Sequence, residues 1–102
     1  MENDSRKKLE KTLGLNAEQI ELSKPAEREI EKMYRKNKNG FERVSKAISQ
    51  IYSNPQQGEH LSNLMSGYMS KHAGKYVIIF KPIKDGLYID KIDRHDSAYG
   101  LR

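Results

Sequence analysis

Residues 75–92 read KYVIIFKPIKDGLYIDKI, and this stretch decides the fold. Side chains alternate along an extended chain, so Tyr76, Ile78 and Phe80 share one side while Val77 and Ile79 share the other. A strand that is apolar on both sides belongs in the middle of a sheet. Pro82 has no N–H to give a ladder, so the pairing should weaken there. Lys84-Asp85-Gly86 contains the Asp-Gly hairpin signal, and Leu87 to Ile92 follows as the next strand. The stretch is a hairpin whose first arm is central.

Upstream, Leu64-Met65-Ser66-Gly67-Tyr68-Met69 reads as a further strand, which makes an antiparallel meander of three. Before Gly58 the apolar period is helical. Phe41, Val44, Ile48, Ile51 and Tyr52 form one stripe, closed by Asn54-Pro55. Ala26, Ile30, Met33 and Tyr34 form another, opened by Ser23 as a cap with Pro25 in the first turn. Asn37-Lys38-Asn39-Gly40 separates them, so the two helices form an antiparallel hairpin. Ile20 and Leu22 alternate with Glu21 and Ser23 as a short leading strand. The expected class is α+β, with a two-helix hairpin packed on one face of a twisted antiparallel sheet. The other face is left for solvent or a partner. Residues 1–16 form an N-terminal extension, either a short helix carrying Leu9 and Leu13 and ending at Gly14 or a disordered lead-in. Residues 17–102 form the domain.

A chain of 102 residues can bury one core without staples. Cysteine is absent, which excludes disulfides and thiolate metal sites and fits a reducing cytoplasm. No apolar run approaches the length of a membrane span, and Met1 to Lys11 is too polar for a secretory leader, so a cytoplasmic location away from membranes is expected. Nineteen Lys and Arg against fourteen Asp and Glu give a net charge of +5. Excess positive charge favours polyanionic partners through counterion release, and it also serves plain solubility.

Two groups of residues can carry chemistry. Lys71, His72 and Lys75 are expected at the turn before the central strand, and Arg94, His95, Asp96 and Tyr99 follow the last one. Such a set can cleave RNA without metal. A base takes the 2′-hydroxyl proton, cations stabilise the pentavalent phosphate, and an acid protonates the departing 5′ oxygen. The plain alternative is a solvated basic turn and a polar tail. No spacing of His95, Asp96, Asp93 or His72 matches a recognised metal site, so neither metal nor cofactor is expected. His60 reads as a surface residue. Tyr68, Tyr76 and Tyr88 either stack bases or pack across strands, and Lys91 is a further cation for RNA. Arg35-Lys36-Asn37-Lys38 sits where cations complement a helix dipole. No Gly-rich phosphate loop, nucleophile elbow or paired-carboxylate spacing is present.

Taken in order, IELSKPAEREIEKM, FERVSKAISQI closed by NPQQGEHL, SGYMSKHAGKYVIIF and LYIDKIDRHDSAY resemble the RelE/ParE superfamily of toxins from toxin–antitoxin modules. The resemblance runs from Ile20 to Tyr99. It implies two helices on a twisted antiparallel sheet, a cognate antitoxin partner and, in the RelE branch, metal-independent mRNA cleavage on the ribosome. It assigns Tyr99 to that branch's C-terminal tyrosine, Arg94 and His95 to its basic or histidine positions, and Lys71 and His72 to its RNA-contacting region. Val77 departs from the pattern, because the superfamily commonly places Arg after this Gly-x-Tyr. Lys75 or Lys71 would then have to supply the charge. The ParE branch, which binds DNA gyrase without chemistry, and a degenerate RNA-binding relative are the alternatives.

Overall fold

Ser23 fixes the start of the first helix. Its backbone is extended at φ −67° and ψ 165°, and its hydroxyl accepts the Ala26 N–H at 3.1 Å. The same hydroxyl donates to the Asp90 carbonyl at 2.5 Å, and the Ser23 N–H reaches the Ile89 carbonyl at 3.0 Å. One residue thus caps a helix and ties it to the last strand. Ser23→Ala removes both side-chain bonds, so it is expected to lower stability by about 1–2 kcal/mol. Thermal unfolding checks this, with a fall of roughly 4–8 °C per kcal/mol for a domain of this size.

The computed structural model describes residues 7, 19–61 and 67–94. In chain order these form β1 (Ile20–Leu22), α1 (Lys24–Lys36), α2 (Lys38–Ser53), a 3-10 turn (Pro55–Gln57), β2 (Glu59–His60), β3 (Met69–Ala73), β4 (Tyr76–Ile83) and β5 (Gly86–Arg94). Lys7 is helical and exposed; the rest of the expected segment 1–16 lies outside the described residues. Asn37 alone separates the helices. Its N–H closes α1 on the Met33 carbonyl at 2.7 Å, and its side-chain oxygen accepts the Gly40 N–H that opens α2 at 3.0 Å. Tyr34 and Phe41 meet edge to face across this joint, 5.2 Å between centroids.

The sheet order is β1-β5-β4-β3-β2. The central position of β4 follows from its two apolar sides: Ile78 and Phe80 pack into the core under the helices, while Val77 and Ile79 are buried on the other side. Sheet pairing is antiparallel except that β1 runs parallel to β5, with Ile20 opposite Leu87 and Leu22 opposite Ile89. The core joins Ile30 and Met33 of α1 and Val44, Ile48 and Ile51 of α2 to Ile78, Phe80, Leu87 and Ile89.

Two expectations shift. The strand read at 64–69 begins at Met69 and continues to Ala73, because Gly67 turns the chain at φ 91°, a left-handed conformation no strand contains. Its Leu64-Met65-Ser66 part lies outside the described residues. Lys71 and His72 are therefore inside β3 rather than in a turn. The two-residue β2 pairs Glu59 with Ser70 and His60 with Met69, placing the exposed His60 at the sheet rim.

In β5 the pairing skips one residue. Ile79 faces Lys91 and Phe80 faces Ile89, leaving Asp90 as the extra residue of a bulge. Among the described residues no helix is long and apolar enough to cross a membrane.

Candidate nucleic-acid interface

The antiparallel register sorts the charged residues between two faces. Lys71 stands opposite Ile78 and Arg94 opposite Tyr76, on the side where the helices pack. His72 stands opposite Val77 and Lys91 opposite Ile79, on the other side. At the end of the sheet where α2 begins, three shallow grooves join into a band. The first, about 290 Å³, lies between α1 and β5 and is lined by Arg94, Tyr76, Asn37, Lys32, Glu29 and Asp93 among others. The second, about 430 Å³, contains Asn37, Tyr76, Lys75, Gly74 and Arg43. The third, about 260 Å³, contains Arg43, Gly74, Lys46, Lys71 and His72. Asn37 and Tyr76 belong to the first two, Gly74 and Arg43 to the last two, so the grooves are continuous.

Local contacts hold this band. Asn37 donates from Nδ2 to the Tyr76 hydroxyl at 3.2 Å, joining the helical hairpin to the start of β4. Gly74, at φ 63°, turns the chain from β3 to β4. A Cβ there would meet Arg43 Cδ at 3.0 Å, so the bare glycine lets the arginine stem lie over the turn. Lys71 Nζ donates to Gln57 Oε1 at 3.4 Å, and Gln57 Nε2 donates to the Gln50 carbonyl at 3.3 Å.

Charge is unevenly shared along the band. Glu29 and Asp93 sit in the Arg94 groove, but among the described residues no carboxylate lines the other two. Cations facing one groove without acidic neighbours attract anions, and a chain of phosphates satisfies several at once.

Of the residues picked from sequence, Lys71, His72, Lys75 and Arg94 line this band. Lys91 and Tyr68 are set apart from it. Lys91 is exposed on the far face, and Tyr68 is half-buried with the Lys81 ammonium 5.0 Å from its ring centre. Tyr88, opposite Lys81, donates to Asp90 Oδ1 at 3.3 Å. Desolvation and the Asp90 carboxylate raise its pKa above the usual 10, so it remains a protonated donor at neutral pH. His95, Asp96 and Tyr99 lie outside the described residues. Arg35 and Lys38, from the basic run after α1, have local partners in Glu31 at 4.0 Å and the Tyr34 ring at 4.6 Å. Among the described residues no three His, Asp or Glu side chains are placed to hold a metal ion.

Arg43 and Lys46 were missed. They fall between the apolar positions Phe41, Val44, Ala47 and Ile48 of α2, and reading only that stripe passes over them. Two cations three apart on the exposed side of a helix were the available signal.

A family model described as the ParE toxin of the type II toxin–antitoxin system parDE matches residues 20–99. No curated protein matches the sequence. Among solved structures, the YoeB–YefM complex from Staphylococcus aureus contains a chain with 17% identity and a TM-score of 0.68, covering 74% of this chain and 94% of that one. A YoeB/ParE toxin from Agrobacterium tumefaciens gives 15% identity and 0.68, covering 76% and 98%. YafQ from E. coli strain BL21(DE3) gives 15% and 0.58, covering 79% and 97%. These likenesses establish a shared architecture of two helices on a five-stranded, mostly antiparallel sheet.

Proposed function

The chain belongs to the ParE toxin family of type II toxin–antitoxin systems, and we propose that this toxin acts on RNA, as a ribosome-dependent, metal-independent mRNA endoribonuclease that stops translation. The observation that carries this reading is the band of cations at one end of the sheet. It runs from Arg94 to Lys71 through grooves whose Lys75 and Lys71 sections are lined, among the described residues, by cations and no carboxylate. Arg94 and Lys71 stabilise the charge that builds on the phosphate. His95, next in the chain after Arg94, serves as base or acid, and Tyr99 orients the cleaved nucleotide. Lys75 holds a neighbouring phosphate, while His72, Tyr68 and Lys91 offer an imidazole, an aromatic ring and a cation to RNA from the other face. The reaction proposed uses protein cations and needs no cofactor.

Translation of a defined message in a cell-free extract tests this reading. Cleaved message and arrested synthesis are expected. Intact message with undiminished synthesis at high protein concentration would reject it.

One observation favours a second reading, a toxin that binds DNA gyrase without chemistry. Val77 occupies the position of the superfamily's phosphate-contacting arginine and is fully buried, so it offers no charge. Gyrase supercoiling inhibited by the protein, with message left whole, would select that reading. Under either, a cognate antitoxin is the partner and the site of action is the cytoplasm. The S. aureus YoeB structure is a complex with YefM, and an antitoxin here would neutralise the cationic band.

A further inference from the structure

We propose that Arg43 and Lys46 of α2 form a second phosphate-binding subsite, which anchors the RNA strand away from the Arg94 end and sets its direction across the molecule. This rests on the RNA-directed reading above and adds the path of the substrate. Lys46 and Arg43 face the groove shared with Lys71, and Arg43 also reaches the groove of Lys75 and Tyr76. Arg43 lies beside the β3–β4 turn, where a Cβ built on Gly74 would come 3.0 Å from its Cδ and 3.7 Å from its Nη1. The guanidinium is thereby placed at the β3–β4 turn, between the two grooves that Arg43 lines.

β3 and β5 are two ladder spacings apart, roughly 10 Å, or about three nucleotides of a stacked strand. A phosphate at Arg94 and another at Arg43 and Lys46 therefore belong to different nucleotides of one strand, and Lys75 lies on the path between them. RNA fits this surface better than an acidic peptide. Peptide anchoring depends on apolar pockets, and among the described residues the third groove offers only Ala47 and Ala73 as apolar lining. Tyr76, beside Arg43 in the second groove, supplies a ring for a base.

The test is binding of a fluorescent single-stranded RNA at a series of salt concentrations, for the full chain and for Arg43→Gln/Lys46→Gln. Two lost phosphate contacts should reduce the slope of log K against log salt by about 1.4, at about 0.7 per contact on a single strand. Arg43→Lys, which keeps the charge, should restore about half of that loss in the Lys46→Gln background. In message cleavage the double variant should raise KM far more than it lowers kcat. An unchanged slope, with the parent chain still binding and cutting RNA, overturns the subsite alone. A parent chain that binds no RNA overturns both it and the RNA-directed reading. A double variant that loses affinity for polyglutamate but not for RNA makes this a peptide site and overturns the proposal.

Discussion

Arg94→Ala is expected to slow message cleavage by about 10²- to 10³-fold, the usual loss when one fixed donor to a developing anionic charge is removed. Arg94 ends β5 and is exposed, lining one groove with Tyr76 and Asn37. Its loss creates no cavity, so the melting temperature should hold within a degree or two. Arg94→Lys keeps the charge but not the planar fork that meets two phosphate oxygens together, and should recover only part of the rate. Cleavage of a defined message in a translation extract measures all three proteins. A loss below tenfold would move the principal charge to Lys71, which the Gln57 side chain holds in the neighbouring part of the band.

Gly86→Ala should have the largest effect on stability, about 3 kcal/mol, the upper end of what overpacking costs. A Cβ on Gly86 would run into the carbonyl oxygen of Gln19 and lie 3.0 Å from its carbonyl carbon. Those are backbone atoms, and no rotamer change moves them aside. Gln19 leads directly into β1, whose three residues pair with Leu87, Tyr88 and Ile89 at the edge of the described sheet. The clash must push β1 off the sheet or distort the β4–β5 turn. Urea unfolding should show a midpoint lowered accordingly, and amide exchange should quicken at Ile20 to Leu22 before the centre of the sheet. Native exchange at β1 with an unchanged midpoint would mean the approach is looser than the structure has it.

Much of the fold is legible in the sequence because the responsible signals are local. The two apolar sides of β4, the Asp-Gly turn after it, the Ser23 cap and the Asn37 joint each act within a few residues. Gly67 was the exception, since a glycine inside an apolar run reads equally well as strand or turn until its φ is known. β2 was missed because two exposed polar residues give no alternation, and its pairing depends on where β3 happens to pass. The parallel contact of β1 with β5 brings together residues some seventy apart, which no local pattern encodes. The candidate band was legible in its residue types and less so in its placement. Lys71, Lys75 and Arg94 do join one band, but Arg43 and Lys46 join it only through helix packing, and the alternation of strands carries Lys91 to the far side.

The extra residue in β5 has a consequence for how this scaffold can diversify. Counted in strict twos from Leu87 and Ile89, the inward positions would be Lys91 and Asp93, and Arg94 would point away from the helices. Asp90 resets the count, so that Ile92 enters the core and Arg94 comes out on the helix side. Keeping every residue of β5 while flattening the bulge would carry the terminal guanidinium to the opposite surface of the protein, where His72 stands, and would drive Lys91 into the oil. Deleting Asp90 would instead leave Ile92 inside and Arg94 on the helix side. Which surface carries the end of the strand thus turns on whether a single residue is accommodated as a bulge, and needs no new fold.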